Sequence, residues 1–470
     1  TVFGQDSEDL YVYETNPDNP SEYRYHDRWE RMRVIEEQIL LKGEPPVTVQ
    51  LKYTRHGPVQ YEDTENRKAY ALRAAWLDIG SAPYLARLRM DQARSWEEFR
   101  EACSYSRIPA ENMVWADREK NIGYQAVGVS PIRPNWSGLV PVPGDGRYEW
   151  DGYLPIKALP HVANPPEEYF GTANNYMVPD GYPYLNALHY TWGDEMRATR
   201  LNEVLRSGSR HTLIDMMRLQ QDEFSVPAKN LIPFLRGLTL DDPAANDARR
   251  SLLRWDAVLD RDSVDAAIYV TWERRLMQNL RELLVPESIR DFLGGLNMKK
   301  VINWLAAPDG RFGPDPIEGR DRLLVHSMEE ALEELRTRLG PDQTQWHYGQ
   351  PDFKHALIRH PLSPAVDDAT RARLDVGPVA RGGYGRSLNN TGNGDNQTSG
   401  ASFRMIADTE DWDHAVGTNA PGQSGDPDDP HYRDLFELWA AGKYFPVFYS
   451  RAKVESVTER TERLTPTEPR

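Results

Sequence analysis

The 470-residue sequence has one cysteine, Cys103, no long apolar run and no stripe of basic residues. A single cysteine excludes an internal disulfide and a cysteine-rich metal site. A membrane-spanning helix needs about 18 or more consecutive apolar residues, so the sequence predicts no such helix. The net charge of −16 argues against nucleic acid, because phosphate binding requires clustered lysines and arginines. We therefore expect neither a membrane nor a nucleic acid among the partners.

The common short enzyme signatures are also missing. The sequence contains no His-Glu-x-x-His zinc motif, no phosphate-binding glycine-rich loop and no EF-hand. The segment Gly422-Gln423-Ser424-Gly425-Asp426 resembles a nucleophile elbow, but its second glycine comes one position early and no buried strand precedes it. We therefore do not expect Ser424 to be an elbow serine. The first residue is Thr1 rather than Met and no signal peptide follows, so we expect a chain that is processed or cropped at its start.

Prolines and aromatic residues are abundant instead. The chain has 35 Pro, 13 Trp, 23 Tyr and 12 Phe, with 39% hydrophobic and 27% charged residues overall. This balance is typical of a globular protein, and the prolines indicate many rigid turns.

The pattern along the chain changes twice. Residues 1–60 are predicted as strands and turns, and Ala69 to Leu77 and Met113 to Gly128 as further strands. Between residues 195 and 340 the hydrophobic period becomes helical. Two apolar helix faces are predicted there: Ile268, Trp272, Leu276 and Leu280, and Leu324, Met328, Leu332, Leu335 and Leu339.

Local signals place several helix ends. Ser95, with Glu98 three residues later, predicts the start of a helix through a capping box. Gly340 predicts the end of the last helix of the helical block. A final helix is predicted from His431 to Ala441. We interpret the chain as an α+β protein with a catalytic domain at 1–194, a helical insertion at 195–340, and the rest of the catalytic domain at 341–470.

Longer strings carry more information than these signals. They are Thr54-Arg55-His56-Gly57-Pro58-Val59, Ala116-Asp117-Arg118-Glu119-Lys120-Asn121-Ile122-Gly123-Tyr124, Pro141-Val142-Pro143-Gly144-Asp145-Gly146 with Trp150-Asp151-Gly152, Thr172-Ala173-Asn174-Asn175, Arg197-Ala198-Thr199-Arg200-Leu201 and Pro421-Gly422-Gln423-Ser424-Gly425. In this order and spacing they resemble the β subunit of the penicillin amidase family of N-terminal-nucleophile hydrolases. That family includes penicillin, cephalosporin and acyl-homoserine-lactone acylases.

The resemblance implies a particular fold and reaction. The fold would be an αββα sandwich of antiparallel sheets with a helical insertion, here missing its first strands. Members of the family are synthesised as a precursor that cleaves itself. The cleavage leaves a nucleophilic serine as the first residue of the β subunit, and the α-amine of that serine acts as the base. The serine and the α subunit are expected to lie outside this chain, so the chain alone is predicted to hydrolyse no amide. A periplasmic or secreted location follows from the resemblance, and the acyl group stays open.

The resemblance also implies site residues. An amide carbonyl that becomes an oxyanion needs hydrogen-bond donors fixed in advance. Asn174 matches the side-chain donor and the backbone N–H of Val2 the second donor, whereas Arg197 matches an arginine that organises the nucleophile. Taken alone, Asn174-Asn175 would be a turn pair and Arg197 a surface cation.

A calcium site is implied by the segment Asp6-Ser7-Glu8-Asp9. Asp6 and Asp9 would supply carboxylates, Glu8 and Gly138 backbone carbonyls, and Asn186 an amide oxygen, in keeping with the preference of Ca²⁺ for six to eight oxygen ligands. A carboxylate is more usual than Asn186 at its position, which should weaken the site. A solvated acidic turn is the alternative.

Two other functions stay open. Thr1 could itself be an N-terminal nucleophile, as in threonine hydrolases. The chain could also belong to a non-catalytic relative that binds acyl ligands. A serine at the cleavage point in the upstream coding sequence would favour the enzyme, and its absence would favour the binding protein.

Overall fold

The computed structural model describes residues 3–4, 6–80, 85–188, 190–207 and 210–465, and the chain divides into two compact units, Thr1–Gly193 and Asp194–Arg470. The three-part division stays a prediction. Strands dominate the first unit: β1 (Glu8–Asn16), β2 (Asn19–Tyr25), β3 (Arg28–Arg31), β4 (Arg33–Ile39), β5 (Val47–Tyr53), β6 (Val59–Asp63), β7 (Lys68–Ala74), β8 (Glu111–Ala116), β9 (Ile122–Val127), β10 (Ser130–Pro131), β11 (Val142–Pro143), β12 (Tyr153–Leu154) and β13 (His161–Ala163), with helices α1 (Leu85–Met90) and α2 (Trp96–Cys103).

The strands of this unit pair mostly antiparallel. One sheet has the order β3-β2-β1-β7-β6, with β11 paired in parallel to β1, and another has the order β13-β9-β8. Along β1 the buried residues alternate with more exposed ones, as expected for a strand with one face in the core. This alternation turns Asp9, Tyr11 and Tyr13 to the same buried side, which matters for the site below.

The predicted start of α2 is confirmed. The Ser95 hydroxyl accepts a hydrogen bond from the Glu98 N–H at 3.2 Å, which satisfies one of the free N–H groups of the first turn. The Glu98 carboxylate accepts from the N–H of Arg94 at 2.8 Å, so the reciprocal bond is displaced by one residue from the ideal capping box. The predicted strand from Ala69 to Leu77 ends earlier, at Ala74, and continues as a 3-10 turn.

Helices dominate the second unit. They are α3 (Met196–Leu205), α4 (Leu213–Gln220), α5 (Val226–Leu231), α6 (Pro243–Leu252), α7 (Val264–Leu284), α8 (Met298–Ala306), α9 (Pro316–Leu339), α10 (Asp368–Leu374), α11 (Phe436–Ala440) and α12 (Arg451–Ser456), with strands β14 (His355–Ile358), β15 (Val376–Ala380), β16 (Arg404–Ile406), β17 (Val416–Thr418) and β18 (Phe445–Pro446).

The predicted apolar faces of α7 and α9 form the core of this unit. Ile268, Trp272, Leu276 and Leu280 are fully buried, and the α9 face is buried from Leu324 to Leu335. Helix α9 ends at Leu339, with Gly340 in a left-handed conformation as its cap, as predicted. The helix predicted from His431 to Ala441 is wrong in extent, because a 3-10 turn occupies Pro430–Tyr432 and the α-helix spans only Phe436–Ala440.

Candidate active site

The turn that carries Asn174 has a left-handed backbone. Asn174 has φ +61°, a conformation that asparagine tolerates better than most residues with a side chain. The neighbouring Asn175 makes the turn's local hydrogen bonds: its Oδ1 accepts from the N–H of Ala173 at 3.0 Å and its Nδ2 donates to the Tyr176 carbonyl at 3.1 Å. The backbone of the predicted oxyanion donor is therefore held by its neighbour's side chain.

Trp192 connects this turn to the start of the chain. Its ring lies edge-on to Phe3, with centroids 5.9 Å apart, and edge-on to Tyr176 at 5.1 Å. A Cβ on Gly4 would lie 2.6 Å from the Trp192 ring, so only glycine fits there. The segment directly after Val2 and the turn of Asn174 thus pack on one indole. Val2 itself lies outside the described residues, and its closeness to Asn174 stays a prediction.

Thr172 was missed as a candidate, although it belongs to the string that contains Asn174. Its Oγ1 is buried and has no hydrogen-bond partner in the part of the chain that the structure describes. Burying a hydroxyl without a partner costs free energy, so such a group usually meets water, a ligand or another chain segment. The turn therefore has a second polar group beside the predicted donor.

Arg197 lies in the first turn of α3, in the second unit. Burial lowers its pKa, although nearby Asp194 acts in the opposite direction. Asp194 holds the start of the helix, because its Oδ1 accepts from the N–H of Met196 at 3.2 Å while its Oδ2 accepts from Arg386 at 3.0 Å. Arg386 also donates to buried Glu273 of α7 at 2.8 Å. The helix of Arg197 is thus fixed to the core of its own unit, and the predicted proximity of Arg197 to Asn174 stays a prediction.

The predicted calcium segment folds around a cation of its own. The fully buried Arg133 donates through Nε to Asp9 Oδ2 at 2.7 Å and through one terminal nitrogen to the Glu8 carbonyl at 3.0 Å. Both terminal nitrogens reach the Asp6 carbonyl, at 3.3 and 3.4 Å, and the Asp6 carboxylate lies 3.5 Å away. A Cβ on Gly138 would lie 2.9 Å from the guanidinium. The guanidinium thus contacts both the acidic turn and Gly138, which was predicted to share the calcium site with it.

Both carboxylate oxygens of Asp9 also accept hydrogen bonds from tryptophan side chains. Trp136 donates its indole N–H to Oδ1 at 3.1 Å, and Trp150 donates to Oδ2 at 2.6 Å. Asn186 is exposed in a 3-10 turn. Among the described residues no group of three or more His, Cys, Asp or Glu side chains could hold a metal ion. As folded, the Asp9 carboxylate and the carbonyls of Asp6 and Glu8 do not fit Ca²⁺, because they already accept N–H donors and the guanidinium among them would repel a second cation.

The string that contains His56 forms a buried hydrogen-bond relay. His56 stacks on Tyr11 with ring centroids 3.8 Å apart, its Nδ1 meets the Tyr13 hydroxyl, and its Nε2 lies 3.0 Å from both oxygens of Glu149. Burial lowers the pKa of His56, which favours a neutral ring that accepts from Tyr13 and donates to Glu149. Glu149 directly precedes the Trp150-Asp151-Gly152 string. The hydrogen bond between His56 and Glu149 therefore joins two of the strings, and their role here is structural.

The local hydrogen bonds of Ser424 join its segment to His431 and Asp426. The backbone N–H groups of Gln423 and Ser424 both donate to the His431 carbonyl, at 2.8 and 3.1 Å, and the Ser424 hydroxyl accepts from the N–H of Asp426. This geometry is not that of a strand-to-helix elbow. Across the described residues, no helix combines the length and apolar character that a membrane crossing requires.

Comparison with known proteins identifies relatives along the whole chain. A family model described as Penicillin amidase matches residues 1–456. Acyl-homoserine lactone acylase QuiP of Pseudomonas aeruginosa is 27% identical over 492 residues, covering 93% of this chain and 57% of that protein. Penicillin acylase 2 proenzyme of Pseudomonas sp. strain SE83 is 27% identical over 474 residues, covering 98% of this chain and 60% of that protein. The chain therefore spans somewhat more than half the length of these relatives.

A solved structure has the same fold. The thermostable penicillin G acylase from Alcaligenes faecalis superposes with a TM-score of 0.73 at 22% sequence identity, covering 100% of this chain and 88% of that chain. This likeness confirms the predicted α+β fold of N-terminal-nucleophile hydrolases.

Proposed function

Because the chain belongs to the penicillin amidase family, we propose that it forms the larger part of an acylase that cleaves an acyl group from a linear amide. The nucleophile in this proposal is an N-terminal serine that the rest of the protein supplies, together with an α subunit. The observation that carries the proposal is the rigid turn of Asn174, which packs through Trp192 on the segment that follows Val2.

In the proposed reaction the serine hydroxyl attacks the amide carbonyl, and the serine's α-amine takes up the hydroxyl proton. The carbonyl oxygen becomes an oxyanion that accepts hydrogen bonds from the Asn174 side-chain amide and the Val2 backbone N–H. The amine product leaves with a proton, and water then hydrolyses the acyl-enzyme. A free α-amine titrates near neutral pH, so it can serve as the base where the enzyme works.

Asn174 suits this role because its amide donates a hydrogen bond without titrating. Its backbone is fixed before substrate binds, so little reorganisation is needed when charge develops on the carbonyl oxygen. Thr172 belongs to the same turn, and we propose that its unpartnered hydroxyl meets a substrate group or an ordered water. The organising role of Arg197 stays a separate prediction from the family resemblance.

The names of two relatives support a class of substrate. One of them is named as an acyl-homoserine lactone acylase and another as a penicillin acylase, and both names denote removal of an acyl group from a small molecule. We propose a small-molecule amide of this kind as substrate. A self-cleaving precursor and a periplasmic or secreted location are also proposed, on the family resemblance. No step of the mechanism depends on calcium.

The experiment compares Asn174→Ala with Asn175→Ala in the full-length protein. Penicillin G and N-acyl-homoserine lactones of several chain lengths serve as substrates, and circular dichroism confirms folding. Asn174→Ala should lower kcat by about a hundredfold or more, since one oxyanion donor is lost. Asn175→Ala is the matched control, because it loosens the same turn without removing the donor, and it should cost less than about tenfold.

Two results would contradict the proposal. Near-normal kcat in Asn174→Ala, or equal losses in the two variants, would remove the role of Asn174 as oxyanion donor. Amide hydrolysis by the 470-residue chain alone that is lost in Thr1→Ala would instead identify Thr1 as the nucleophile.

A further inference from the structure

Two arginines of the second unit are buried and form no ion pair with a carboxylate in the part of the chain that the structure describes. Arg381 follows β15 and Arg404 begins β16, and they are 2% and 6% exposed. Other arginines of this unit are paired: Arg386 contacts Asp194 and Glu273, and Arg338 contacts Asp395. A buried charge is costly unless an opposite charge or several hydrogen bonds compensate for it. The surroundings of Arg381 and Arg404 therefore need an explanation.

Each of the two guanidinium groups has a buried terminal nitrogen without a hydrogen-bond acceptor among the described residues. Arg381 donates through Nε to Gln397 Oε1 at 2.9 Å and through one terminal nitrogen to the Ala440 carbonyl, but its other terminal nitrogen is buried and unpartnered. Arg404 donates through one terminal nitrogen to Asn389 Oδ1 at 2.8 Å, and its other terminal nitrogen is also buried and unpartnered. These absences hold across the residues that the structure describes.

A chain of contacts joins the two arginines. Asn389, which accepts from Arg404, donates through Nδ2 to Glu223 Oε1 at 2.9 Å. The Glu223 carboxyl group packs so closely on Gly382, the residue after Arg381, that a Cβ at Gly382 would overlap it. Burial lowers the pKa of Arg381 to about 10; the nearby Glu223 carboxylate acts in the opposite direction, and the charge of Arg404 adds to the lowering.

A third unsatisfied donor lies beside Arg404. Thr418 stands directly opposite Arg404 in the antiparallel pair of β16 and β17. Thr418 is fully buried, and its Oγ1 has no hydrogen-bond partner in the described part of the chain. The hydroxyl can donate, as the guanidinium nitrogens do, whereas the guanidinium groups cannot accept.

Glu223 forms no ion pair with either guanidinium group among the described residues, and its Oε1 accepts from the Asn389 amide instead. Burial raises the pKa of Glu223 to about 7, which weakens its negative charge near neutral pH. The Trp439 ring lies 4.6 Å from the Arg381 guanidinium and attracts it, but this ring carries no charge. Water in the same place would accept the hydrogen bonds but would leave the excess positive charge uncompensated.

We propose that a small monovalent anion from the solvent, of halide size, binds at this buried cluster and accepts hydrogen bonds from the free terminal nitrogen of Arg404 and from the hydroxyl of Thr418, its cross-strand neighbour, with the charge of Arg381 nearby. The residues of the site all belong to the second unit, and the proposal does not rest on the proposed catalytic function. The anion supplies the negative charge that the chain itself does not place beside these arginines.

The direct test is crystallography of the full-length protein in bromide, with data collected at the bromine absorption edge. The expected result is an anomalous peak within hydrogen-bond distance of Arg404 and Thr418. A water without anomalous signal at saturating bromide would overturn the proposal. A protein carboxylate from outside this chain in the same place would also overturn it, because the anion would then not come from solvent.

A second test measures thermal unfolding in sodium chloride, sodium bromide and sodium gluconate at equal ionic strength. Chloride and bromide should raise the midpoint by about 2 °C or more relative to gluconate, since a ligand that binds only the folded state stabilises it. Thr418→Val keeps the shape of the side chain and all charges, and it should reduce this difference. Arg404→Gln should abolish it, and the exposed Arg451→Gln should retain it. Equal midpoints in halide and gluconate for the wild type would contradict the proposal.

Discussion

Arg133 in the first unit and Arg404 in the second are both buried guanidinium groups, but their surroundings differ. Every nitrogen of Arg133 has an acceptor from the acidic turn, either the Asp9 carboxylate or the carbonyls of Asp6 and Glu8. Arg404 has the amide oxygen of Asn389 and one terminal nitrogen with no acceptor. One guanidinium is therefore compensated by its own chain, and the other is not.

This difference explains what each region would bind. At the acidic turn, positive charge is already present, and the Asp9 carboxylate and the carbonyls of Asp6 and Glu8 already accept hydrogen bonds, so an added cation would meet a like charge and occupied ligands. At the second cluster, positive charge is in excess and donors are free, so an anion has a place. Whether the hydrogen-bonding atoms of a buried charged group all have partners thus indicates whether the site can still bind an ion.

The largest effect is expected when Arg133 is removed. Arg133→Met leaves the Asp9 carboxylate buried beside two indoles without its counter-charge, and this should destabilise the first unit by about 3–5 kcal/mol. Urea denaturation of the full-length protein, followed by tryptophan fluorescence, measures the change. The exposed Arg28→Met is the control, and it should cost no more than about 1 kcal/mol. If Arg133→Met also cost no more than about 1 kcal/mol, Asp9 would have another partner that compensates its charge.

A buried lysine sharpens the comparison, because it can release its proton where an arginine cannot. Lys354 donates to the carbonyls of Thr391, Gly392 and Gly394, at 2.8, 2.9 and 2.6 Å, and burial lowers its pKa to about 7, with the charge of Arg274 contributing. Above pH 7 the folded state has lost this proton, whereas the unfolded lysine keeps it up to about pH 10.

The unfolding free energy should therefore rise with pH between about 7 and 9, by up to about 1.4 kcal/mol per pH unit from this group. The rise should be smaller in Lys354→Met and unchanged in the exposed Lys443→Met. If Lys354→Met does not fold, proton uptake on unfolding of the wild type above pH 7, measured by calorimetry in two buffers, replaces it. A wild-type free energy that is flat over this range would show that the three carbonyls keep the ammonium charged.

Removal of Arg404 should cost less than removal of Arg133. Arg404→Met removes an uncompensated charge but leaves the Asn389 amide oxygen without its donor, so we expect a loss of about 1–2 kcal/mol. The same urea measurement applies, in gluconate so that no halide contributes. A loss as large as that of Arg133→Met would show that Arg404 has a counter-charge from elsewhere.

The smallest effect is expected from calcium. Adding CaCl₂ or EDTA to the wild type should shift the thermal midpoint by less than about 1 °C, because an ion that does not bind the folded state cannot stabilise it. Magnesium chloride at equal ionic strength is the control. A calcium-specific rise would show that the Arg133 guanidinium moves aside and would restore the ion site that the acidic turn predicts.

Short-range signals in the sequence determined most of the secondary structure and the family. The Ser95 cap, the faces of α7 and α9 and the Gly340 stop all depend on residues three or four apart, where chain geometry alone brings groups together. The order of the longer strings was sufficient to identify the family. The helix predicted at His431 to Ala441 was wrong in extent because local propensity does not fix where a turn interrupts a helix.

The partners of buried charges were decided only by the tertiary structure. Arg133 meets Asp9 across 124 residues and Trp150 meets it across 141, distances over which no sequence pattern specifies a contact. The sequence of the acidic turn predicts a cation site. Only the tertiary structure shows that the cation in contact with this turn is the side chain of Arg133. The same holds for Arg381 and Arg404, since whether a guanidinium finds its acceptors depends on how strands and loops pack rather than on its neighbours in the chain.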